Sequence, residues 1–360
     1  MSSLQKEMFK KHMLPQVVED EDEEGDMIAP LMSEGSSSSS SSQTARLKTK
    51  YAPLDWREYF ESCEDVNIQG TADTFRVYRI QGSDSTTPVF VMHHGAGHSG
   101  LSFALTARHI KEMTKGQCSV VSIDARGHGD THTSDETDFS LNRLSDDLVN
   151  VVQELYGDEK RDLILVGHSM GGSVVVDVAQ RKRLVNIQGV AVLDVVEGSA
   201  MDALASMTKI LSTRPQTFPS IEHAIQWSVK SETVRNVTSA RVSVPSLVLE
   251  NGEGKYNWRT DLTKTTPFWT EWFTDLSNKF LSSSAAKLLI LAGTDRLDKP
   301  LMIAQMQGKF QVHIIPEAGH FLQEDAPQKT AQCLVDFWTR NKRLVLPPKV
   351  QIVNEKINKA

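Results

Sequence analysis

Cysteine is scarce in this chain. Only three of the 360 residues are cysteines, namely Cys63, Cys118 and Cys333, and they form no Cys-x-x-Cys or Cys–His pattern. Such isolated thiols argue against a disulfide framework and against a structural zinc site. The small number of cysteines is typical of a protein in a reducing compartment.

Long apolar runs and an excess of positive charge are also missing. No segment approaches the roughly 18 apolar residues of a membrane span, and the first 20 residues lack the apolar stretch of a signal peptide. The formal charge is −7, of which the chain after residue 50 carries −4, a balance that argues against nucleic acid as a partner. We therefore expect an intracellular protein that binds neither membrane nor nucleic acid.

The two ends of the chain differ in composition from its body. Residues 1–50 contain the unbroken acidic run Glu19–Glu24 and the serine run Ser36–Ser42, neither of which can bury enough apolar surface to offset the entropy of ordering. We predict a disordered acidic, serine-rich tail over 1–50, one folded domain over 51–345 and a C-terminal tail over 346–360.

The body alternates short apolar runs with helical patterns. After a period-two strand at Thr74–Ile80, six apolar runs each end at a polar loop: Pro88–Met92, Ser119–Ile123, Leu163–Val166, Gly189–Leu193, Lys287–Leu291 and Gln311–Ile315. Continuous apolar runs are typical of strands buried on both faces of a parallel sheet, and helical patterns such as Leu141–Tyr156 and Ser173–Arg183 lie between them. The sequence therefore predicts an α/β fold, a doubly wound and mostly parallel sheet whose sites lie at the carboxyl ends of its strands.

One interval, about residues 199–284, departs from this alternation. Its only possible buried strand is Ser246–Leu249, and its patterns are helical, as at Ile221–Val229. The pattern at Trp269–Leu276 places Trp269, Trp272, Phe273 and Leu276 on one helix face. We predict a helical cap over the active face, and for this aromatic face ordinary core packing is favoured over substrate contact.

The most informative motif is Gly167-His-Ser-Met-Gly-Gly172. It follows an apolar strand and opens a helix, which is the context of a nucleophile elbow, and its glycines permit the sharp turn that projects the central serine. The motif predicts a serine hydrolase of the α/β-hydrolase fold with Ser169 as the nucleophile.

A serine hydroxyl needs a base, and histidine has a suitable pKa range. His320 follows the last strand pattern and is the last of eleven histidines, as the order Ser, acid, His requires in this fold. His93, His94 and His128 lie in other strand-end loops, where we expect them to hold loops by hydrogen bonds, and we expect His168 to pack inside the elbow.

Two aspartates are candidates for the acid that orients this base. Asp194 ends the strand after the nucleophile strand, and Asp295 ends the strand after the predicted cap. Either could fix the tautomer of the imidazole. Spacing alone favours Asp295.

The oxyanion of a tetrahedral intermediate needs hydrogen-bond donors. The backbone N–H groups of Met170, directly after the nucleophile, and of Ala96, in the glycine-containing loop after an earlier strand, are the candidates. The Asp124–Gly129 loop is interpreted as scaffold for the rim of the site rather than as a catalytic element.

Several segments are more specific than the fold itself. From about Trp56 to Asp325 the chain resembles the protein phosphatase methylesterases. The segments that carry the resemblance are Tyr59–Ser62, Asp73–Tyr78, Gly167–Gly172, Asp194-Val-Val-Glu-Gly198, Ala200–Leu204, Trp227–Ser231, Ser239–Ser243, Leu291–Gly293, Asp295–Asp298 and Gln305-Met-Gln-Gly-Lys-Phe-Gln311. The resemblance implies that Asp194 is the acid of a Ser169–His320–Asp194 triad, with Asp295 as the fallback. It reverses the preference from spacing.

The resemblance also implies a function. Such an enzyme removes the methyl ester from the C-terminal leucine of the type 2A protein phosphatase catalytic subunit, which would be both substrate and partner. The cap and Gln305–Gln311 are candidate contacts. We expect a monomer in the cytoplasm or nucleus, with no metal and no organic cofactor.

Two other functions remain as alternatives. One is a small-molecule esterase or lipase that shares only the scaffold, and the other is a non-catalytic phosphatase-binding protein. The chain also departs from some members of the family, because Ser246–Tyr256 replaces a long acidic insertion in the cap with a few residues.

Overall fold

The computed structural model describes residue 47 and residues 49–157, 159, 161–293 and 297–342. Almost all of the tail predicted over 1–50, the whole of the tail over 346–360, and Asp295 lie outside these described residues.

A mostly parallel sheet forms the centre of the fold. The strands, in chain order, are β1 (Ser62–Asn67), β2 (Thr74–Ile80), β3 (Val89–His93), β4 (Ser119–Ile123), β5 (Leu163–His168), β6 (Ile187–Leu193), β7 (Thr217–Phe218), β8 (Val248–Glu250), β9 (Tyr256–Trp258), β10 (Ala286–Leu291) and β11 (Gln311–Ile314). In the described part of the chain, eight of them form one sheet in the order β1-β2-β4-β3-β5-β6-β10-β11. The first two pairings are antiparallel and all the others are parallel, so the predicted doubly wound sheet is confirmed.

Helices cover both faces of this sheet, and others lie in the segment between β6 and β10. They are α1 (Ala104–Thr114), α2 (Leu141–Tyr156), α3 (Met170–Gln180), α4 (Glu197–Thr213), α5 (Ile221–Lys230), α6 (Val237–Ser243), α7 (Trp269–Phe273), α8 (Leu276–Ser282), α9 (Lys299–Met306), α10 (Leu322–Asp325) and α11 (Pro327–Asn341). Successive residues of β3 alternate between two cores, since Val91 packs with the core that includes α2 and α3, and Phe90 with the core that includes α1 and α11. This explains why the central strands are apolar at every position.

The predicted helix at 141–156 is confirmed with the same bounds, and Ser140 caps it by accepting a hydrogen bond from the N–H of Arg143 (3.3 Å). The helix predicted from Ser173 begins earlier, at Met170. It starts there because the chain enters the helix directly from the turn at Ser169.

The interval between β6 and β10 holds α4 to α8 together with a small antiparallel sheet, β7-β9-β8, which the sequence patterns do not predict. The prediction of a single helix over Trp269–Leu276 is wrong. The chain breaks between α7 and α8, where Asp275 has a φ of 61°, and the Glu197 carboxylate accepts the N–H groups of Asp275 and Ser277, each at 3.1 Å. A carboxylate from another helix thus stabilises a break that local periodicity does not show.

Among the described residues, no helix combines the length and the apolar character needed to cross a membrane.

Candidate active site

Ser169 lies in a sharp turn between β5 and α3. Its backbone has a φ of 51° and a ψ of −118°, a combination that non-glycine residues rarely adopt. Glycines make the turn possible: a Cβ on Gly167 would lie 2.1 Å from the Gly171 carbonyl oxygen, and one on Gly171 would lie 2.2 Å from that of His93. This strained turn is the predicted elbow, and it presents the Ser169 hydroxyl at the carboxyl end of the sheet.

His320 and Asp194 form a hydrogen-bonded pair near this turn. The Nδ1 of His320 lies 2.8 Å from Oδ2 of Asp194, whose other oxygen accepts the N–H of Ala292 at 2.9 Å. Asp194 is fully buried and has a φ of 51°, so the end of β6 turns sharply and carries the carboxylate to the histidine. Since a carboxylate accepts, Nδ1 of a neutral His320 carries the proton and Nε2 keeps its lone pair.

Two neighbours hold the loop of His320 in place. His168 donates from Nε2 to the carbonyl oxygen of His320 at 2.9 Å, which places it inside the elbow as expected. Asp325 accepts the N–H groups of Gly319 (2.7 Å) and Arg235 (2.8 Å), and burial raises the pKa of its carboxyl to about 6. The position of the imidazole is therefore fixed from both sides.

The loop after β3 contacts the nucleophile. A Cβ on Gly95 would lie 3.1 Å from the Cβ of Ser169, so the backbone there comes close to the serine. Ala96 follows, and among the described residues its N–H has no acceptor. Met170 is the first residue of α3, where backbone N–H groups have no partner within the helix. Both predicted oxyanion donors thus flank Ser169 in the structure.

Buried histidines organise the Ala96 loop. His94 Nε2 accepts the N–H of Ala125 and His128 Nε2 accepts that of Gly97, both at 2.9 Å. Their Nδ1 atoms then donate to the carbonyl oxygens of Gly95 (2.7 Å) and Arg126 (2.8 Å). Burial lowers the pKa of His128 to about 4 and that of His94 well below its usual value, so both are neutral. Their interpretation as loop-holding residues is confirmed.

The Asp124–Gly129 loop provides buried scaffolding. Asp124 accepts the N–H groups of Gly100 (2.6 Å) and Asp130 (2.9 Å), and burial raises its pKa to about 7. Arg126 forms buried ion pairs with Asp147 (2.7 Å) and Asp73 (3.0 Å). These contacts connect strand-end loops and support the interpretation of this loop as scaffold.

Ser169, His320 and Ala96 line one cavity beneath the segment between β6 and β10. The rest of its wall is mostly apolar and includes Val195, Ala200, Ala203, Met207, Ile210, Leu211, Trp227, Val234, Val244, Leu247, Trp258, Leu262, Trp269 and Phe273. Trp269 and Phe273 therefore reach the cavity, whereas Trp272 donates its indole N–H to the Phe139 carbonyl oxygen (2.8 Å) in the core. Such a wall suits an uncharged apolar group attached to the reacting carbonyl.

His98 and Arg214 are among the cavity residues that were not predicted from the sequence. His98 stacks on Phe321, with ring centroids 4.0 Å apart, and its Nδ1 lies 3.3 Å from the buried carboxylate of Glu324. Arg214 follows α4 and lines the cavity wall. The position of His98 in a strand-end loop was a usable signal, but Arg214 has no local signal because only tertiary packing brings it to the site.

The fold and site together define an α/β hydrolase. The Alpha/beta hydrolase family matches residues 90–332, and the chain belongs to that family. A solved hydrolase of E-2-(acetamidomethylene)succinate superposes with a TM-score of 0.63 at 20% identity, covering 77% of this chain and 99% of its own. A Mycobacterium tuberculosis esterase gives a TM-score of 0.57 at 18% identity, with 82% and 97% covered. At such identities the likeness concerns the fold.

Relatives with higher sequence identity show to which family of α/β hydrolases the chain belongs. Protein phosphatase methylesterase 1 of Aspergillus fumigatus is 50% identical, covering 88% of this chain and 77% of its own length. The Schizosaccharomyces pombe protein of that name is 44% identical (88% and 93% covered), and the Bos taurus protein 41% identical (82% and 88%). The chain belongs to the protein phosphatase methylesterase 1 family.

Proposed function

We propose that this protein is a serine esterase that removes the methyl ester from the C-terminal leucine of the type 2A protein phosphatase catalytic subunit. The observation that carries this proposal is the convergence of Ser169 in its strained turn and the His320–Asp194 pair on one mostly apolar cavity. Relatives named protein phosphatase methylesterase 1, which match over most of the chain, support the methyl ester of a phosphatase as the substrate.

The first half of the proposed reaction acylates the serine. His320 Nε2 takes the hydroxyl proton of Ser169 as Oγ attacks the ester carbonyl, and Asp194 stabilises the imidazolium that forms. The N–H groups of Met170 and Ala96 bind the oxyanion. When the tetrahedral intermediate collapses, the C–O bond to methoxide breaks and His320 returns the proton, so that methanol leaves.

The second half regenerates the enzyme. His320 takes a proton from water, the resulting hydroxide attacks the acyl carbonyl, and Ser169 leaves with the proton from His320. The product is a free leucine carboxylate. Asp295 remains the fallback acid, and it lies outside the described residues.

We propose that helix α9 contributes to docking of the phosphatase, together with the segment between β6 and β10. Met302, Ile303 and Met306 are exposed by 49%, 47% and 89% on α9, and Met306 belongs to the Gln305–Gln311 segment. Adjacent exposed apolar side chains are typical of protein contact sites. We further propose a monomer that acts in the cytoplasm or nucleus, where this phosphatase would be encountered.

Methanol release from carboxymethylated phosphatase tests the function. The wild-type protein is expected to demethylate it and to be labelled by a fluorophosphonate, and Ser169→Ala should lose both properties, with turnover falling by roughly 10⁶-fold. Absence of demethylation by the wild-type protein, or near-normal turnover by Ser169→Ala, would refute the proposal.

A further inference from the structure

Arg214 ends a helix face that runs along the cavity. Ala200, Ala203, Met207, Ile210 and Leu211 line the cavity from α4, and Arg214 follows at the same helical spacing. The other side chains in this series are apolar, so a guanidinium at its end is unexpected.

This guanidinium has no acidic partner. Within the described part of the chain it forms no ion pair and no hydrogen bond, and its contact is with the ring of Trp258, 3.8 Å from the centroid. Glu232 also lines the cavity, but its carboxylate pairs with Arg235 at 3.6 Å. Burial lowers the pKa of Arg214 to about 10, so the group remains charged at neutral pH.

Arg214 is also held in position before any ligand arrives. The indole N–H of Trp258 donates to the carbonyl oxygen of Pro215 at 2.8 Å, which fixes the ring on which the guanidinium lies. A guanidinium stacked by its face keeps the N–H groups at its edge available. A partly buried, unpaired cation of this kind is unfavourable unless an anion joins it.

The position of Arg214 relative to the proposed triad follows from helix geometry. Helix α4 begins at Glu197, three residues after Asp194, so its first turn lies at the triad end of the cavity. From Ala200 to Arg214 the rise of an α-helix amounts to about 21 Å. An extended peptide covers that distance with about six residues, and fewer are needed if the arginine side chain reaches back.

We propose that Arg214 is a specificity-determining residue that binds a carboxylate side chain of the substrate peptide, about three to six residues before the methyl ester. The inference rests on the proposed esterase function. The inference adds a second point of recognition to that function, by which the enzyme selects acidic C-terminal tails.

Paired peptide methyl esters test this inference. Each pair ends in leucine methyl ester and differs only in Glu or Gln at one position, scanned over the span given above. For wild type, kcat/KM should be about 10- to 100-fold higher with Glu at the best position, the usual effect of one hydrogen bond to a charged group. Arg214→Met should lose this preference, with kcat/KM falling about 10- to 100-fold more on the Glu peptide than on the Gln peptide.

Two further variants complete the design. Lys209→Met removes an exposed positive charge from the same helix and should keep the Glu preference. Arg214→Glu should reverse it, so that a Lys peptide becomes the better substrate.

Three outcomes would overturn the inference, and they are distinguishable. Equal rates for Glu and Gln peptides with wild type refute the selection and leave the esterase function intact. An equal loss on both peptides in Arg214→Met means that the residue only supports the wall. If wild type hydrolyses neither the peptides nor the methylated phosphatase, the proposed function fails and the inference fails with it.

Discussion

His320 Nδ1 donates a 2.8 Å hydrogen bond to Asp194 Oδ2 and so connects two strand-end loops that are 126 residues apart in sequence. Asp194 has no exposed surface, and its second oxygen is bonded to the N–H of Ala292. The carboxylate therefore has one fixed orientation, in which it holds the imidazole with Nδ1 protonated.

Replacing this carboxylate by an amide should remove that control. In Asp194→Asn the amide group can donate to Nδ1 and favour the wrong tautomer, so we expect kcat to fall by about 10⁴-fold with the fold retained. Initial rates of methanol release from a methylated peptide measure the loss. Asp295→Asn is the matched control and should stay within a few-fold of wild type, whereas a large loss in Asp295→Asn alone would make Asp295 the acid.

The choice between these two aspartates shows what the sequence could predict. The six parallel strands of the main sheet were predicted to within about two residues because each is an apolar run, and the proposed site was predicted because parallel strands bring their carboxyl ends together. β1, β7 and β9 carry no such run and were not predicted. Asp194 and Asp295 both follow neighbouring strands, β6 and β10, so spacing could not separate them. The positive φ that turns Asp194 toward His320 depends on tertiary packing and leaves no periodic signal.

Packing between residues that are distant in sequence limits the prediction of the segment between β6 and β10 as well. The break between α7 and α8 depends on Glu197, which is distant in sequence, and the cavity position of Arg214 depends on the path of α4. Local patterns predict which segments are helical. They do not predict which distant side chain ends a helix or which wall a charged residue joins.

His128 should control the position of Ala96, a proposed oxyanion donor, without touching substrate. His128→Phe keeps a ring against Phe139 but removes the acceptor for the Gly97 N–H, so the Ala96 loop should lose its fixed position. We expect kcat to fall about 10- to 100-fold with KM little changed, because the loss affects mainly the transition state. Steady-state kinetics on a peptide methyl ester measure it. His132→Phe, at an exposed position, is the control, and unchanged kcat in His128→Phe would contradict the role.

Stability should fall as the pH decreases below about 6.5. Burial lowers the pKa values of His93 and His128 to about 4 and those of His94 and His168 well below 6.5, so the unfolded chain binds protons that the folded protein does not. Between about pH 7.5 and 5.5 the four imidazoles together should lower the free energy of unfolding by roughly 5 kcal/mol.

Two carboxyls oppose this loss. Asp124 and Asp325, with pKa values raised by burial to about 7 and about 6, bind protons in the folded state over the same pH range, which offsets about half of this loss. Urea unfolding at the two pH values should therefore show a net loss of about 2 to 3 kcal/mol. Asp124→Asn should steepen the dependence, and a stability that rises on acidification would contradict the assignment.

The exposed apolar side chains of α9 should matter only for a protein substrate. Met306 is 89% exposed, and Met306→Glu puts a charge into the proposed contact without disturbing the core. We expect KM for the methylated phosphatase to rise about 5- to 30-fold, as for loss of a significant interface side chain, because a charge in the contact must be desolvated. KM for a short peptide methyl ester should not change, because no residue of α9 lines the cavity that holds Ser169 and His320. Val185→Glu introduces the same charge at another exposed apolar position and should leave both values unchanged. If Met306→Glu and Val185→Glu gave the same KM on the phosphatase, α9 would not be part of the docking surface, and the contact would have to lie elsewhere on the protein.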